Sequence, residues 1–311
     1  MLKYITLLAA VLLAMRASAA EVDSATLRRH VSVLCDTTQG YRTGSDTARL
    51  NKAAQYIHGE LKKYRDSVTV MTYRADGSNY YNLIASYGPA DAPRIIIGAH
   101  YDVCGEERQQ GADDNASGIA GLLELARLLA QEDAAHWKYR VDLVAYTLEE
   151  PPYFRTAAMG SAMHAQYLEA GKIPVRGMVS LEMIGYFKDG KHTQHYPIGL
   201  LKLFYGSRGN YITVVHKVHK GSFVRGFQRD FKGAHLIRTK KFGAPRILPG
   251  IDFSDHLNYW NHGWAALMIT DTSFFRNANY HRKGDTPETL DYNRMAMVVE
   301  QVKRAVDRMV Q

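Results

Sequence analysis

Short runs of apolar, often β-branched residues alternate along the chain with segments in which apolar residues recur at helical spacing. Three runs predict strands buried on both faces of a sheet: residues 94–99, 141–147 and 175–183. Two more strands are predicted at residues 67–73 and 80–87. Helices are predicted at residues 22–33, from the turn at 43–46 to about residue 64, and at 117–131, 157–168 and 292–310. Strands alternating with helices are typical of a three-layer α/β/α sandwich, here with a mixed, mostly parallel central sheet.

Residues 188–252 lack this regular pattern and contain scattered Gly, Pro and His residues. Within them, an apolar piece at 198–205 and a strand-like run at 211–215 are the only ordered signals. We interpret the segment as an elaboration beside the site, forming part of a lid, and predict a single domain over residues 21–311.

The first 20 residues differ in pattern from the rest. Lys3 is followed by an almost wholly apolar stretch, and Ala17-Ser18-Ala19 offers the small residues that a signal peptidase reads. The stretch is about a dozen residues long, against the roughly 20 that cross a bilayer, although an uncleaved anchor is the alternative. We predict a signal peptide at residues 1–20, a periplasmic or secreted protein, and no stable membrane association after cleavage.

Charge and cysteine content refine this picture only slightly. The formal net charge is +8, and removal of Lys3 and Arg16 with the signal peptide leaves +6. The basic residues are scattered, which favours a solvated surface over a nucleic-acid site. Cys35 and Cys104 are the only cysteines of the chain, and either one disulfide or two buried thiols would fit an exported protein.

Acidic residues and one histidine follow the predicted buried strands at the points where the strands end. Parallel α/β sheets bind ligands beyond the carboxyl ends of their strands. Several carboxylates packed together are strongly unfavourable without a cation, and imidazole with carboxylates suits zinc. The converging residues are His100 and Asp102 after 94–99, Glu149 and Glu150 after 141–147, Glu182 near the end of 175–183, and Asp113 and Asp114 before the helix at 117–131.

Five blocks, in order and with fitting spacing over roughly residues 80–305, carry a resemblance to a known family. The sequence resembles the di-zinc aminopeptidases of metallopeptidase family twenty-eight, which include secreted bacterial leucyl aminopeptidases. The blocks are Gly98-Ala99-His100-Tyr101-Asp102, the segment 111–118, Glu149-Glu150, the segment 181–186, and Tyr280-His281 followed by Asp285-Thr286.

The resemblance implies two zinc ions per chain and a ligand for each position. Asp114 would bridge the two metals, His100 and Glu182 would complete one site, and Glu150 and His281 would complete the other. The family often has aspartate where Glu182 stands, so the geometry of that position is expected to differ.

The resemblance also implies roles for residues that do not bind metal. Glu149 would be the general base, Asp102 would orient His100, and the Tyr280 hydroxyl would hydrogen-bond the oxyanion of the tetrahedral intermediate. The implied substrate is a peptide with a free amino terminus.

Three further residues are expected to support the site. Asp255 and His256 lie in another family-like block, but the family takes its ligand from the later Tyr-His segment, so we interpret both as supporting residues and not as ligands. Asp285 belongs to the same family block as His281, and the resemblance implies that it lies beside the ligands.

Other functions are weighed against the aminopeptidase. The chain has neither Gly-x-Ser-x-Gly nor His-Glu-x-x-His, which argues against a serine α/β-hydrolase and a zincin. A glutaminyl cyclase shares the fold and much of the metal site but typically carries tryptophan where Tyr280 stands. A carboxypeptidase of the same fold and a non-catalytic binding protein are the remaining alternatives. No pattern in the sequence indicates an oligomeric state.

Overall fold

An eight-stranded sheet forms the centre of the computed structural model, which describes residues 22–105, 108–219 and 221–311. The signal peptide predicted for residues 1–20 lies outside the described residues. The strands, in chain order, are β1 (Val68–Ala75), β2 (Ser78–Tyr87), β3 (Arg94–His100), β4 (Arg140–Tyr146), β5 (Val175–Glu182), β6 (Ile212–Lys217), β7 (Thr239–Ala244) and β8 (Ala266–Thr270).

The strand order across the sheet is β1-β2-β4-β3-β5-β8-β6-β7. Strand β3 pairs in parallel with β4 and β5, β5 pairs in parallel with β8, and β6 pairs in parallel with β7. The pairs β1–β2, β2–β4 and β6–β8 are antiparallel. The predicted mixed sheet is therefore confirmed, and the carboxyl ends of β3, β4, β5 and β8 lie at one edge.

Helices cover both faces of this sheet. They are α1 (Ser24–Leu34), α2 (Thr47–Lys62), α3 (Gly118–Leu129), α4 (Gly160–Ala170), α5 (Leu201–Tyr205), α6 (Gly221–Gly233), α7 (His256–Asn261) and α8 (Tyr292–Val310). Successive β3 side chains point to opposite faces, as the pleat of a strand requires. Ile95 and Ile97 join the apolar cluster with α1, α2, α3, α6 and α8, whereas Ile96 joins the cluster with α4 and α7. The predicted α/β/α layering is thus confirmed.

Acidic side chains mark where two of the predicted helices begin. Asp46 accepts a hydrogen bond from the backbone N–H of Arg49 at 3.1 Å, and Asp291 accepts one from Arg294 at 3.0 Å. Each bond satisfies a donor that the first turn of a helix leaves unpaired. Helices α2 and α8 therefore start directly after these residues.

The prediction of an irregular segment over residues 188–252 is wrong for much of its length. The segment contains α5, β6, α6 and β7, and its two strands extend the central sheet at one end. Phe223, Phe227 and Phe231, spaced four residues apart, are fully buried on one side of α6. The strand-like run at 211–215 lies in β6, as predicted.

Both cysteines are free and buried. The disulfide alternative is therefore wrong, and the alternative of two buried thiols is the one that the structure contains. No helix among the described residues is both long and apolar enough to cross a membrane.

Candidate metal centre

The irregular turn Ala112–Ser117 places Asp114 at the carboxyl edge of the sheet. Gly111 begins this turn with φ of 61°, and a side-chain carbon there would collide with the carbonyl oxygen of Asp114. Asn115 fixes the turn against the end of β5, since its Nδ2 donates to the Leu181 carbonyl at 2.9 Å and its Oδ1 accepts from the Met183 N–H at 3.0 Å. These bonds hold Asp114 beside Glu182.

Five side chains form two adjoining clusters at this edge, with Asp114 shared between them. In the first cluster, His100 Nε2 lies 3.4 Å from Asp114 Oδ1 and 3.4 Å from Glu182 Oε2. In the second, His281 Nε2 lies 3.2 Å from Asp114 Oδ2 and 3.1 Å from Glu150 Oε2. Asp114 thus presents one oxygen to each cluster, as a carboxylate that bridges two cations must.

The chemistry of these clusters fits divalent metal ions. Among the described residues, no hydrogen-bond partner is found for four buried atoms of the clusters: His100 Nε2, Asp114 Oδ2, Glu150 Oε1 and His281 Nε2. Buried polar atoms that stay unpaired are costly, and neighbouring carboxylates repel one another. A cation coordinated by these atoms removes both penalties. His100, Asp114 and Glu150 offer donor atoms that all lie within 4.8 Å of one another.

Asp102 holds both glutamates that follow β4. Its Oδ1 accepts the backbone N–H of Glu149 at 3.2 Å, and its Oδ2 accepts that of Glu150 at 3.0 Å. Oδ1 also lies 3.6 Å from His100 Nδ1. One buried carboxylate therefore positions residues on two strands, and its role extends beyond the orientation of His100 that the sequence predicts.

Asp285 joins the loop that carries His281 to the turn that carries Asp114. Its carboxylate accepts the backbone N–H of Asp113 at 2.9 Å and that of Asp114 at 3.0 Å. Asp113, in contrast, faces away from the clusters and accepts bonds from the Gly185 N–H and from an asparagine amide. Of the two adjacent aspartates, only Asp114 joins the clusters.

Two predicted supporting residues, Asp255 and His256, are buried near the clusters. His256 Nε2 lies 2.8 Å from the Ile251 carbonyl oxygen, and its ring packs edge-on against Trp260 at 4.5 Å. Burial lowers the pKa of His256 to about 4, so the ring is neutral. Asp255 is fully buried, and neither of its carboxylate oxygens has a hydrogen-bond partner among the described residues.

Ser254 is a site residue that the sequence reasoning missed. Its Oγ donates to Glu182 Oε2 at 2.8 Å and lies 2.7 Å from the Ser180 Oγ. The flanking Asp255-His256 pair indicated that this block lies near the site, but no local pattern showed which of its side chains would contact Glu182.

Burial and mutual repulsion raise the pKa of the glutamates at the clusters. Burial is the largest cause of the raised pKa of Glu149, and the charge of Glu150 adds to it. Burial and the charge of Asp114 raise the pKa of Glu150 to about 8. Burial also opposes ionisation of Asp114, but the neighbouring imidazoles of His100 and His281 outweigh it and lower its pKa. Protons and metal ions therefore compete for the same oxygen atoms.

A cavity of about 300 Å³ opens onto the clusters. Asp114, Glu149, Glu150, Glu182 and His281 line its acidic end. The Tyr280 ring lines it as well and stacks on the His281 ring, with centroids 3.8 Å apart and planes 19° apart. The rest of the wall is mainly apolar and includes Tyr205, Val215, Phe242, Phe253, Met268 and Phe274.

The sequence indicates that the segment 188–252 builds a pocket beside the site, but not which of its residues form the apolar wall. Tyr205, Val215 and Phe242 come from α5, β6 and β7, within the segment that was predicted to be irregular. The apolar character of residues 211–215 was visible, but their contact with the cavity depends on β6 pairing with β8.

Comparisons with known proteins assign the chain to a family. The sequence model of Peptidase family M28 matches residues 82–306. Uncharacterized protein YfbL of Escherichia coli (strain K12) is 46% identical over 267 residues, which cover 84% of this chain and 81% of that protein. A Probable leucine aminopeptidase of Arthroderma otae is 24% identical over 225 residues, which cover 69% of this chain and 53% of that protein. The chain thus spans about half the length of the fungal aminopeptidases it matches.

Two solved structures show the same fold. Legionella pneumophila LapA aminopeptidase superposes with a TM-score of 0.73 at 18% identity, over 95% of this chain and 74% of that one. Porphyromonas gingivalis glutaminyl cyclase superposes with a TM-score of 0.67 at 20% identity, over 93% of this chain and 99% of that one. Both peptidases and cyclases therefore share the architecture.

Proposed function

The chain belongs to peptidase family M28, and from this premise we propose that it is a zinc-dependent aminopeptidase that hydrolyses the first peptide bond of substrates with a free amino terminus. The observation that carries the proposal is the placement of Asp114, with one carboxylate oxygen facing each of two histidine–glutamate clusters. This arrangement suits two cations acting on one scissile carbonyl.

Two zinc ions would be held by the five side chains of the clusters. His100 and Glu182 would bind one ion, Glu150 and His281 the other, and Asp114 both. Imidazole nitrogen and carboxylate oxygen are ordinary zinc ligands. Bound zinc supplies Lewis acidity, which polarises the substrate carbonyl and makes water a stronger acid.

Glu149 is the general base in this proposal. Its carboxylate lines the cavity, and Oε2 lies 3.9 Å from His100 Nε2, farther than the carboxylates of Asp114 and Glu182 lie from that nitrogen. It takes one proton from the attacking water and delivers a proton to the amine nitrogen of the leaving group when the C–N bond breaks. The hydrogen bond from its backbone N–H to Asp102 keeps it at this position.

Tyr280 stabilises the developing oxyanion by donating its hydroxyl proton in a hydrogen bond. Burial raises the pKa of Tyr280, so the phenol keeps the proton that a donor needs. Stacking on His281 fixes the ring at the wall of the cavity.

The cavity also indicates which substrates would fit. The acidic end offers carboxylates that would neutralise the terminal ammonium group, and the apolar wall would take an apolar side chain of the first residue. Tyr205, Phe242 and Met268 contribute to this wall. We therefore expect large apolar amino-terminal residues to be preferred over charged ones.

A glutaminyl cyclase is the second candidate, because the solved cyclase is covered over 99% of its length by this chain. It would use the same clusters without hydrolysing a peptide bond. A carboxypeptidase or a binding protein of the same fold would neither release an amino-terminal residue nor cyclise an amino-terminal glutamine.

One experiment separates these functions. Mature protein is stripped of metal, reconstituted with zinc and given a panel of aminoacyl-chromophore substrates, with an amino-terminal glutaminyl substrate assayed for cyclisation. We expect zinc-dependent chromophore release. Glu149→Gln is expected to abolish release while zinc content stays the same. Cyclisation without release, or full activity of Glu149→Gln, would refute the proposal.

We further propose that the protein is exported before it acts, and that its partners are peptides and not nucleic acid. The support is the leader-like pattern of residues 1–20 and the scattered basic residues. Amino-terminal sequencing of the protein from the periplasm or medium should show a start near residue 21, whereas an intact Met1 would contradict cleavage.

A further inference from the structure

Cys104 lies at the second cluster, in the loop that follows β3. Its Sγ, a ring nitrogen of His281 and a carboxylate oxygen of Glu150 all lie within 4.8 Å of one another. The cysteine is fully buried and Glu150 is only 4% exposed. Glu150 Oε1 and His281 Nε2 have no hydrogen-bond partner among the described residues. Two buried atoms that can each give a lone pair to a metal ion therefore lie beside the sulfur.

We propose that Cys104 supplies a sulfur ligand to the metal ion bound by His281 and Glu150. The inference rests on the metal centre of the proposed function and adds a ligand to it. Zinc accepts sulfur, nitrogen and oxygen together, and cysteine is among its most common protein ligands. The thiol would bind as the thiolate and release its proton to solvent.

The backbone on both sides of the sulfur is fixed, as a ligand position requires. The Val103 N–H donates to the Arg42 carbonyl at 2.9 Å, and Gln109 Nε2 donates to the Cys104 carbonyl at 2.9 Å. Hydrogen bonds on both sides of Cys104 thus hold its thiol beside the cluster of His281 and Glu150.

Sulfur at one position only would make the two metal sites unequal. The position of His100 and Glu182 offers nitrogen and oxygen, whereas the position of His281 and Glu150 would add a thiolate. Soft thiolate ligands favour zinc over magnesium or manganese. The second position is therefore expected to bind thiophilic ions in preference, and the first to accept harder ions more readily.

The two cysteines of the chain provide a matched pair of variants. Cys35, which directly follows α1, is also free and buried. Among the described residues, it is not part of a group of side chains that could hold a metal ion. Cys35→Ser leaves Cys104 as the single thiol. Cys104→Ser removes the sulfur but keeps a hydroxyl that can hydrogen-bond His281. This variant therefore distinguishes a sulfur that binds the metal from a side chain that only hydrogen-bonds the imidazole.

The test is a titration of metal-free mature protein with cobalt(II), followed by optical spectroscopy and by zinc competition against a chelator. We expect a sulfur-to-cobalt charge-transfer band in the near ultraviolet for the wild type and for Cys35→Ser, and no band for Cys104→Ser. Zinc binding at the second position should weaken in Cys104→Ser by at least about 10-fold, the lower end of what loss of an outer partner costs.

The outcomes distinguish this inference from the proposed function. Two bound metals without a band in Cys35→Ser would overturn sulfur ligation and leave the aminopeptidase proposal intact. A band that persists in Cys104→Ser would overturn it as well. Absence of metal binding in the wild type would overturn both. The band in Cys35→Ser decides the question even if Cys104→Ser does not fold.

Discussion

Replacement of Asp102 by asparagine tests how the centre is held together. The carboxylate accepts backbone hydrogen bonds from Glu149 at 3.2 Å and from Glu150 at 3.0 Å. An asparagine of the same shape keeps one acceptor oxygen and presents an NH₂ group to the other backbone N–H. One glutamate therefore loses its anchor, and the imidazole of His100 loses the negative charge beside Nδ1.

The expected magnitude follows from the bond that is lost. A hydrogen bond to a charged group contributes about 1.5–3 kcal/mol, and about 1.4 kcal/mol corresponds to a factor of ten. If that energy serves to position Glu149 and Glu150, zinc affinity and kcat/KM should both fall by roughly 10- to 100-fold, the range found for partners of metal ligands.

The assay combines zinc competition against a chelator with kcat/KM for the best aminoacyl substrate of the panel. Asp142→Asn is the matched control, because Asp142 is equally buried in β4 but accepts from Arg94 and Ser86, each at 2.6 Å. The control should lower the free energy of unfolding without altering zinc affinity. Unchanged zinc affinity and kcat/KM in Asp102→Asn would refute the positioning role.

Two other predictions follow from contacts inside the core. Ser254→Ala removes the 2.8 Å bond to Glu182 Oε2 and should weaken zinc at that position about 10-fold, whereas unchanged chelator competition would contradict it. Burial lowers the pKa of His164, whose Nδ1 lies 2.8 Å from the Tyr259 hydroxyl, to about 4. The unfolded chain binds this proton near pH 6.5, so the stabilisation is complete above that pH and is lost as pH falls towards 4, by about 2 kcal/mol between pH 7 and pH 5. Urea denaturation at both pH values should show a smaller drop for His164→Gln than for wild type, and equal drops would contradict the prediction.

Many of the strands and helices could be predicted from the sequence because the patterns that indicate them involve neighbouring residues. Strands β3, β4 and β5 are seven or eight residues long and each contains a mainly apolar stretch that favours burial. Helix α8 has apolar residues at helical spacing with Asp291 at its start. Beyond β6, the segment 188–252 was misread, in part because β7 is short and alternates only weakly, with mixed burial along its length. Their pairing depends on β8, which comes later in the chain.

The sequence by itself determined the fold class and the kinds of side chain at the strand ends, because burial and periodicity are properties of neighbouring residues. Only the tertiary structure decided which of them share a site. Asp114 and not Asp113 faces the clusters because of an irregular turn that Asn115 and Asp285 hold. His281 reaches them through a loop more than a hundred residues from Glu150 in sequence, and Cys104 comes within reach of both. Such directions are set by backbone dihedrals and by packing between distant segments, which no local pattern encodes.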